Sequence, residues 1–534
     1  MLSLFERLFS RSGIALSILA CNVLMAVAPV PQTIEIANSA EPKDLDPHLA
    51  VGVPEARIMR NLFEGLVSKD PKTLEIIPAL AKSWTLSQEG SVYTFKIRKN
   101  ARWSNGDPIT ADDFVFSFTR LANPATASDW SMFAEQIKNG KKILNKEITD
   151  LSQLGVKAKT PDTLEITLER PIPYALGLLA HISFAALNRK AIEAHGTKWT
   201  RPENIITSGA YTIEKWITNK IITLKPNPQY WDASRVKIQQ ANFLPVEKSE
   251  TVEKMFRAKK IHIGDRVPTE RIPFWKKDSS GSYQEIPYLG VYFYQFNVTK
   301  PPLDNAKVRK ALNLAIDRTK VVTFVSRGGE MPATFYTPPG TGGFKPKTKL
   351  PSDLSRLDEA KKLLAEAGFP GGKGMPPIEI VYNTDENHKK IAEAIQEMLK
   401  KNLGVQVTLI NREWKVFLSS INAHDFQVSR KGWIADYNDP SSFFSLFVSG
   451  ASLNNTLYSS KTFDDVVAAA DRERDQKRRL LLFQKAEDIL MEDLPLMPIY
   501  IYTRVYLKSP VVVGWHNNIE DFHPLKYVSL SGKL

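Results

Sequence analysis

Residues 430–444 read RKGWIADYNDPSSFF, a stretch that joins an apolar strand pattern to a polar cluster. Arg430, Trp433, Asp436 and Tyr437 stand together where the strand pattern ends. A carboxylate beside aromatic rings at such a place suits a cationic ligand group. Outward from it the pattern is regular. Ile378–Asn383 predicts a strand, Asn387–Asn402 a helix, Val405–Ile410 a strand, Lys415–Asn422 a helix and Phe426–Ile434 a strand. The first of these helices puts Ile391, Ile395, Met398 and Leu399 on one face. Ser355-x-x-Asp358 predicts the cap of a further helix ending at Ala367, with Gly368 as its stop.

The order β-α-β-α-β implies a parallel sheet with right-handed crossovers. Open sheets of that kind bind ligands at the carboxyl ends of their strands. His388 follows the first strand, Trp414 the second and Asp436 the third, so three candidate contacts share one sheet edge. The same residues also admit a plainer reading, in which Trp414 and Trp433 are core aromatics and Asp436 caps a turn before Pro440.

The amino-terminal half mixes strands and short helices. Tyr93–Arg98, Thr163–Leu168 and Ile221–Lys225 alternate apolar and polar residues as half-buried strands do. Asn105-Gly106 marks a turn, and Thr110-Ala111-Asp112-Asp113 is a capping-box pattern opening a helix over Asp113–Leu121.

The chain has 534 residues, 43% hydrophobic and 24% charged, a globular composition. At about 100–200 residues per domain it holds two to four domains. The net charge of +13 raises the question of nucleic acid. Its basic residues come as dispersed pairs, such as Lys141-Lys142 and Lys400-Lys401, and the run Lys477-Arg478-Arg479 follows Asp471, Glu473 and Asp475. No RNA-binding signature or zinc-finger spacing is present, so no nucleic-acid partner is expected. A basic protein that binds polyanionic surfaces remains the runner-up from another class.

Residues 1–28 predict an export signal. Arg7 and Arg11 precede the apolar run Ile14–Ala28, which is short for a membrane span, and Ala26-Val27-Ala28 resembles a cleavage site. The single cysteine, Cys21, follows Ile18-Leu19-Ala20. That box leaves two readings: lipid anchoring at Cys21, or an ordinary small residue of the signal. The exported body carries no cysteine and therefore uses no disulfide.

Catalytic signatures are missing. The eight histidines show no HxH or HExxH spacing, and no G-x-S-x-G, P-loop or G-x-G-x-x-G occurs. Asp112-Asp113 reads as helix-start charge rather than an acid/base pair. Neither an enzyme nor a metal or other cofactor is expected.

Several stretches together resemble one family. They are LDPHLAVGVPEARIMRNLFEGL (45–66), WSNGDPITADDFVFSF (103–118), NIITSGAYTIEKW (204–216), LKPNPQYWD (224–232), KPPLDNAKVRKALNLAIDR (300–318), EAKKLLAEAGF (359–369), YNTDENHKK (382–390) and GWIADYNDPSSF (432–443). In this order they resemble the periplasmic oligopeptide-binding proteins of ABC importers, over about residues 34–527. The resemblance implies a three-lobed α/β binding protein. Lobe I would be 32–62, 188–289 and 504–534, lobe II 63–187, and lobe III 290–503. Two α/β lobes, I and III, would close on a ligand cleft, and lobe II would be an extra α+β lobe. It implies a monomeric extracytoplasmic receptor for short extended peptides, about two to five residues long, that passes them to a permease. Related ligands within the same fold, such as a cell-wall peptide, glutathione, haem or a nickel chelate, stay open.

The resemblance also implies roles. Asp436 would pair with the peptide's α-ammonium, Arg430 would receive a tripeptide carboxylate, and His388 the carboxylate of a longer peptide. Trp433, Trp414, Tyr288 and Trp130 fall at aromatic pocket positions, where the family prototype has Tyr in place of Trp130. Val53 would contribute main-chain bonds, and Gly432 and Ile434 belong to the same GW-x-AD motif as Asp436. The chain departs from the family pattern at Val51 and Gln295, where acids are usual, at Ile421, where an arginine is usual, and at Ile434, where a cysteine is usual. These departures predict less use of highly charged peptides.

Overall fold

The computed structural model describes residues 32–532. The signal segment and Cys21 lie outside the described residues. One mixed sheet of eleven strands runs through the molecule. Its strands are β1 (Gln32–Ala37), β2 (Tyr211–Ile217), β3 (Ile221–Pro226), β4 (Ile238–Leu244), β5 (Ile263–Gly264), β6 (Tyr283–Phe296), β7 (Ile378–Asn383), β8 (Val407–Arg412), β9 (Val428–Ile434) and β10 (Leu496–Lys508), with Met331–Pro332 pairing onto β10. The order is β8-β7-β9-β6-β10-β5-β1-β4-β3-β2.

The expected parallel unit is present at one end: β7 pairs in parallel with both β8 and β9. Its crossovers are α3 (Glu386–Leu403) and α4 (Trp414–Asn422), which follow α1 (Val53–Leu62) and α2 (Ala111–Ala122) in the chain. Two details differ from expectation. β8 begins two residues later than its apolar pattern, because Val405 turns inward to the core instead of joining the sheet. The helix near 358 spans Leu357–Glu366 with Arg356 at its start, so Ser355 does not cap it. The sheet is continuous from β8 to β2.

That continuity rests on β6 and β10, which pair antiparallel over most of their length. Their pairing is interrupted between Pro287 and Val291, which face Thr503 and Ile501. The extra residues at 288–290 bulge out of the ladder, and such a bulge re-aims side chains. Tyr288 sits on it.

A separate four-stranded antiparallel sheet, built from Ala81–Leu86, Val92–Ile97, Val156–Thr160 and Thr163–Thr167, packs with α2. The Thr110/Asp113 capping box opens that helix as expected. The largest apolar core joins residues 66–186 to residues 289–501. A second core gathers residues 34–63, 185–286 and 506–528. No helix among the described residues is long and apolar enough to cross a membrane.

The segment after β9 is pinned from the core. Arg479, 1% exposed, donates to both carboxylate oxygens of Asp439 at 2.6 and 2.7 Å and to Ala470 O at 3.2 Å. Asp439 also accepts from Ser441 N and Oγ at 3.0 and 2.7 Å, which closes the turn around Pro440. Removing one partner of a buried ion pair strands the other charge. We expect Arg479→Ala to lower unfolding stability by about 3–5 kcal/mol in urea denaturation; a loss under about 1 kcal/mol would contradict this role.

Candidate functional site

A cavity of about 400 Å³ lies over the bulge of β6 and the carboxyl ends of β7–β9. Arg430, His388, Trp433, Trp414, Tyr288, Val53, Gly432, Ile434, Gln295 and Ile421 all line it. Each is placed by a nameable local cause. Asp385 caps α3 by accepting from Asn387 N and His388 N at 2.9 and 3.0 Å, which sets His388 in the first turn. Glu413 caps α4 in the same way and sets Trp414 as its first residue. Pro54 in the first turn of α1 fixes the helix start, leaving Val53 at the cavity wall. Gly432 is required by close approach, since a Cβ there would strike the Tyr502 hydroxyl.

Arg430 is held without a carboxylate partner. It donates to Tyr502 Oη at 3.0 Å and to Asn383 Oδ1 at 3.4 Å, and its guanidinium lies over the Tyr292 ring at 4.9 Å. Its Nε is buried with no hydrogen-bond partner. A buried, unfilled donor of a permanent cation is a ready acceptor site for a ligand anion. His388 stands beside it, and burial and the Arg430 charge push its imidazole down to about 3, with Asp385 opposing. His388 is therefore neutral at pH 7 and offers a single N–H. Gln295, 1% exposed, donates to Ser429 Oγ at 3.2 Å. Ile421 closes a small apolar cluster with Val381, Phe417 and Phe426, so its flank of the cavity is hydrocarbon.

Contacts bridge the cavity from both sides. Arg266 pairs with Asp385 at 2.5 Å, Trp414 Nε1 donates to Glu55 Oε1 at 3.1 Å, and Ser249 donates to Glu386 at 3.1 Å. Lys390 pairs with Glu270. Asp385 thus caps α3 with one oxygen and holds Arg266 with the other. Burial raises its carboxyl, but His388 and Arg266 outweigh that and hold it at about 2. Glu55 has the opposite balance: burial pushes it up to about 7. Of these bridging residues, Glu55, Asp385, Glu386 and Lys390 lay inside recognisable stretches, and Trp414 was itself an expected contact. Arg266 carried no local signal, since a lone arginine after a short strand has no periodicity or spacing to mark it.

Asp436 and Trp130 do not line this cavity. Asp436 lines a second one, of about 60 Å³, with Arg60, Lys69, His181 and Glu520. Burial pushes its carboxyl up to about 7, and Lys69 and Arg60 offset this only in part. Lys69 is already engaged, donating to Glu520 at 2.5 Å and to the Asp436 carbonyl at 3.0 Å. His181 Nε2 stands 3.5 Å from the Asp436 carboxylate. Burial, Arg60 and Lys69 keep that imidazole well below its usual range, so the contact is not an ion pair. Trp130 links the cavities: its ring lies 6.3 Å from Trp433 and 4.4 Å from His181, and its Nε1 donates to Ala50 O at 3.0 Å.

Comparison with known proteins places this geometry. The model of the bacterial extracellular solute-binding proteins, family 5 Middle, matches residues 75–455. The chain is 39% identical over 535 residues to the periplasmic oligopeptide-binding protein OppA of Escherichia coli K12, covering 96% of each. Among solved structures, the Haemophilus influenzae OppA complex with RPPGFSPFR superposes with a TM-score of 0.90 at 36% identity, covering 94% of this chain and 99% of that one. The murein tripeptide binding protein MppA of Escherichia coli superposes with a TM-score of 0.91 at 38% identity, covering 94% and 98%. The unliganded open form of MppA gives only 0.64 at the same identity, covering 94% and 97%. The conformation described here is therefore not that open one.

The bridging contacts tie the facing walls of the cavity together. Each joins residues 55–270 to residues 385–414 across the cavity and would part on opening. Arg266→Ala should enlarge the radius of gyration in small-angle X-ray scattering of the unliganded protein. An unchanged radius would show that the Arg266–Asp385 pair does not hold the cavity shut.

Proposed function

The chain belongs to the bacterial extracellular solute-binding proteins of family 5, and from that membership we propose that it is a receptor for short peptides in the large cavity. It delivers them from outside the cytoplasm to an ABC permease and acts as a monomer. The supporting observation is Arg430, a buried guanidinium with an unfilled donor among tyrosines, which suits the carboxylate end of a zwitterion. β9 pairs with β7 only at Val428 and Ser429, while β6 continues beside it to Ile434, so the β7-side edge of residues 430–434 gives an extended peptide a strand to pair with. Such pairing uses groups common to every peptide, so it selects length and termini above sequence. Lobes I and III meet at β6 and β10, and the bulge at 288–290 is the hinge.

Asp436 takes the α-ammonium. Its carboxyl is buried and lacks a free cation, and an ammonium would restore its charge. In the conformation described, successive contacts Trp433–Trp130–His181 lie between the cavity and this carboxyl. Those rings must part when the peptide's first residue enters. Trp130, where the family prototype has tyrosine, makes that end of the site bulkier.

Two measurements test this. Calorimetry with a tripeptide and its N-acetylated form should show the acetylated form at least about thirtyfold weaker, the low end of the 2–5 kcal/mol cost of breaking a buried charge pair. Equal affinities would refute the role of Asp436. The second measurement is pH dependence. Binding needs Asp436 ionised, and in the free protein its carboxyl sits at about 7. Affinity should therefore fall as pH drops from 7 to 5, and fall again above about 8 as the free amine loses its proton. Asp436→Asn should abolish the acid limb. A flat profile below pH 7 would contradict the assignment.

A further inference from the structure

The charges lining the large cavity separate into those with partners and those without. Arg57 and Arg504 each pair with Asp521 at 3.1 Å, and Arg266 pairs with Asp385. Among the described residues Lys43, Arg430 and its neighbour Lys431 form no ion pair, although all three line the cavity. Neighbours in a strand point to opposite faces, and their partners agree. Arg430 reaches Tyr502, whereas the Lys431 ammonium donates to Asn455 Oδ1 at 2.7 Å and to Leu453 O at 3.0 Å. Both acceptors are neutral, and an ammonium has three donors.

The nearest acid by its influence is Asp129, on the same cavity wall. It is hydrogen-bonded by Asn422 Nδ2 at 3.4 Å and feels both Lys43 and Lys431. Asp129 is thus shared between two lysines. Burial pushes the Lys431 ammonium down to about 7, with Asp129 opposing, which marks a cation short of counter-charge.

We propose that Lys431 forms a subsite for a second carboxylate of the ligand, distinct from the terminal carboxylate held by Arg430. This rests on the peptide reading above. The expected departures then read together: Val51 and Gln295 remove acids and with them sites for basic side chains, Ile421 removes an arginine, and Lys431 supplies a cation for an acidic group on the same cavity. Two sources carry such a group, the side chain of an α-linked glutamate or aspartate, and the free α-carboxylate of a γ-linked glutamate.

Calorimetry on the full exported chain decides it. Tripeptides with Glu or Gln at each position in turn, against Ala-Ala-Ala, are titrated into the wild type, Lys431→Met and Lys431→Arg. At one position the wild type should prefer Glu over Gln by about tenfold. Lys431→Met should erase that preference while still binding Ala-Ala-Ala as the wild type does, which also shows that it is folded, and Lys431→Arg should keep it. Ala-γGlu-Ala beside Ala-Glu-Ala tells which source the corner fits better. Equal affinity for Glu, Gln and γGlu peptides in the wild type would overturn the subsite, as would a Glu preference that persists in Lys431→Met. Failure of every tripeptide, Ala-Ala-Ala included, would overturn the peptide reading itself.

Discussion

The pairing of β6 with β10 is the constraint on which the rest of this molecule depends. These strands belong to both halves of the eleven-stranded sheet, so both walls of the cavity hang from them. Where their ladder breaks, between Pro287 and Val291, the chain bulges and Tyr288 enters the cavity. On one side of the break β6 pairs with β9, the strand carrying Arg430 and Lys431. Beyond the other side, β10 pairs with β5, whose following residues 265–267 also line the cavity. A sheet continuous through a local defect can bend there while each half keeps its own packing.

Charge placement follows from that frame. Helix caps do double duty at the cavity: Asp385 satisfies the amides of α3 and also binds Arg266 from the facing wall. Polar contacts such as Arg266–Asp385 and Trp414–Glu55 cross the cavity, and apolar ring contacts such as Trp130–Trp433 and Tyr174–Tyr437 lie beside it. Arg430, Lys431 and Asp436 have hydrogen-bond partners but no opposite charge paired with them, and a zwitterionic ligand with a further carboxylate would supply it.

Much of this was legible in the sequence. The strands and helices of 378–434 follow from periodicity and caps, and their order placed His388, Trp414 and the end of β9 on one sheet edge. The long strands β6 and β10 were not legible as a pair, because non-local pairing leaves no mark in either segment alone. Ser355 looked like a cap because Ser-x-x-Asp fits the pattern, yet the helix begins at Leu357. The separation of Asp436 from the main cavity was equally hidden: it depends on how Trp130 and His181 pack, and both come from another part of the chain. Lys431 stood in plain view beside Arg430 but carried no signal until its partners were known.

The central claim is that a peptide is held by its carboxylate and main chain in the large cavity and by its α-ammonium at Asp436, beyond the Trp130 and His181 rings. Native mass spectrometry of the protein purified from its own cells, without refolding, tests this most directly. The account predicts a mixture of adducts whose masses, after release and sequencing, are short peptides of varied sequence with free amino termini. A single non-peptide adduct of constant mass would contradict it.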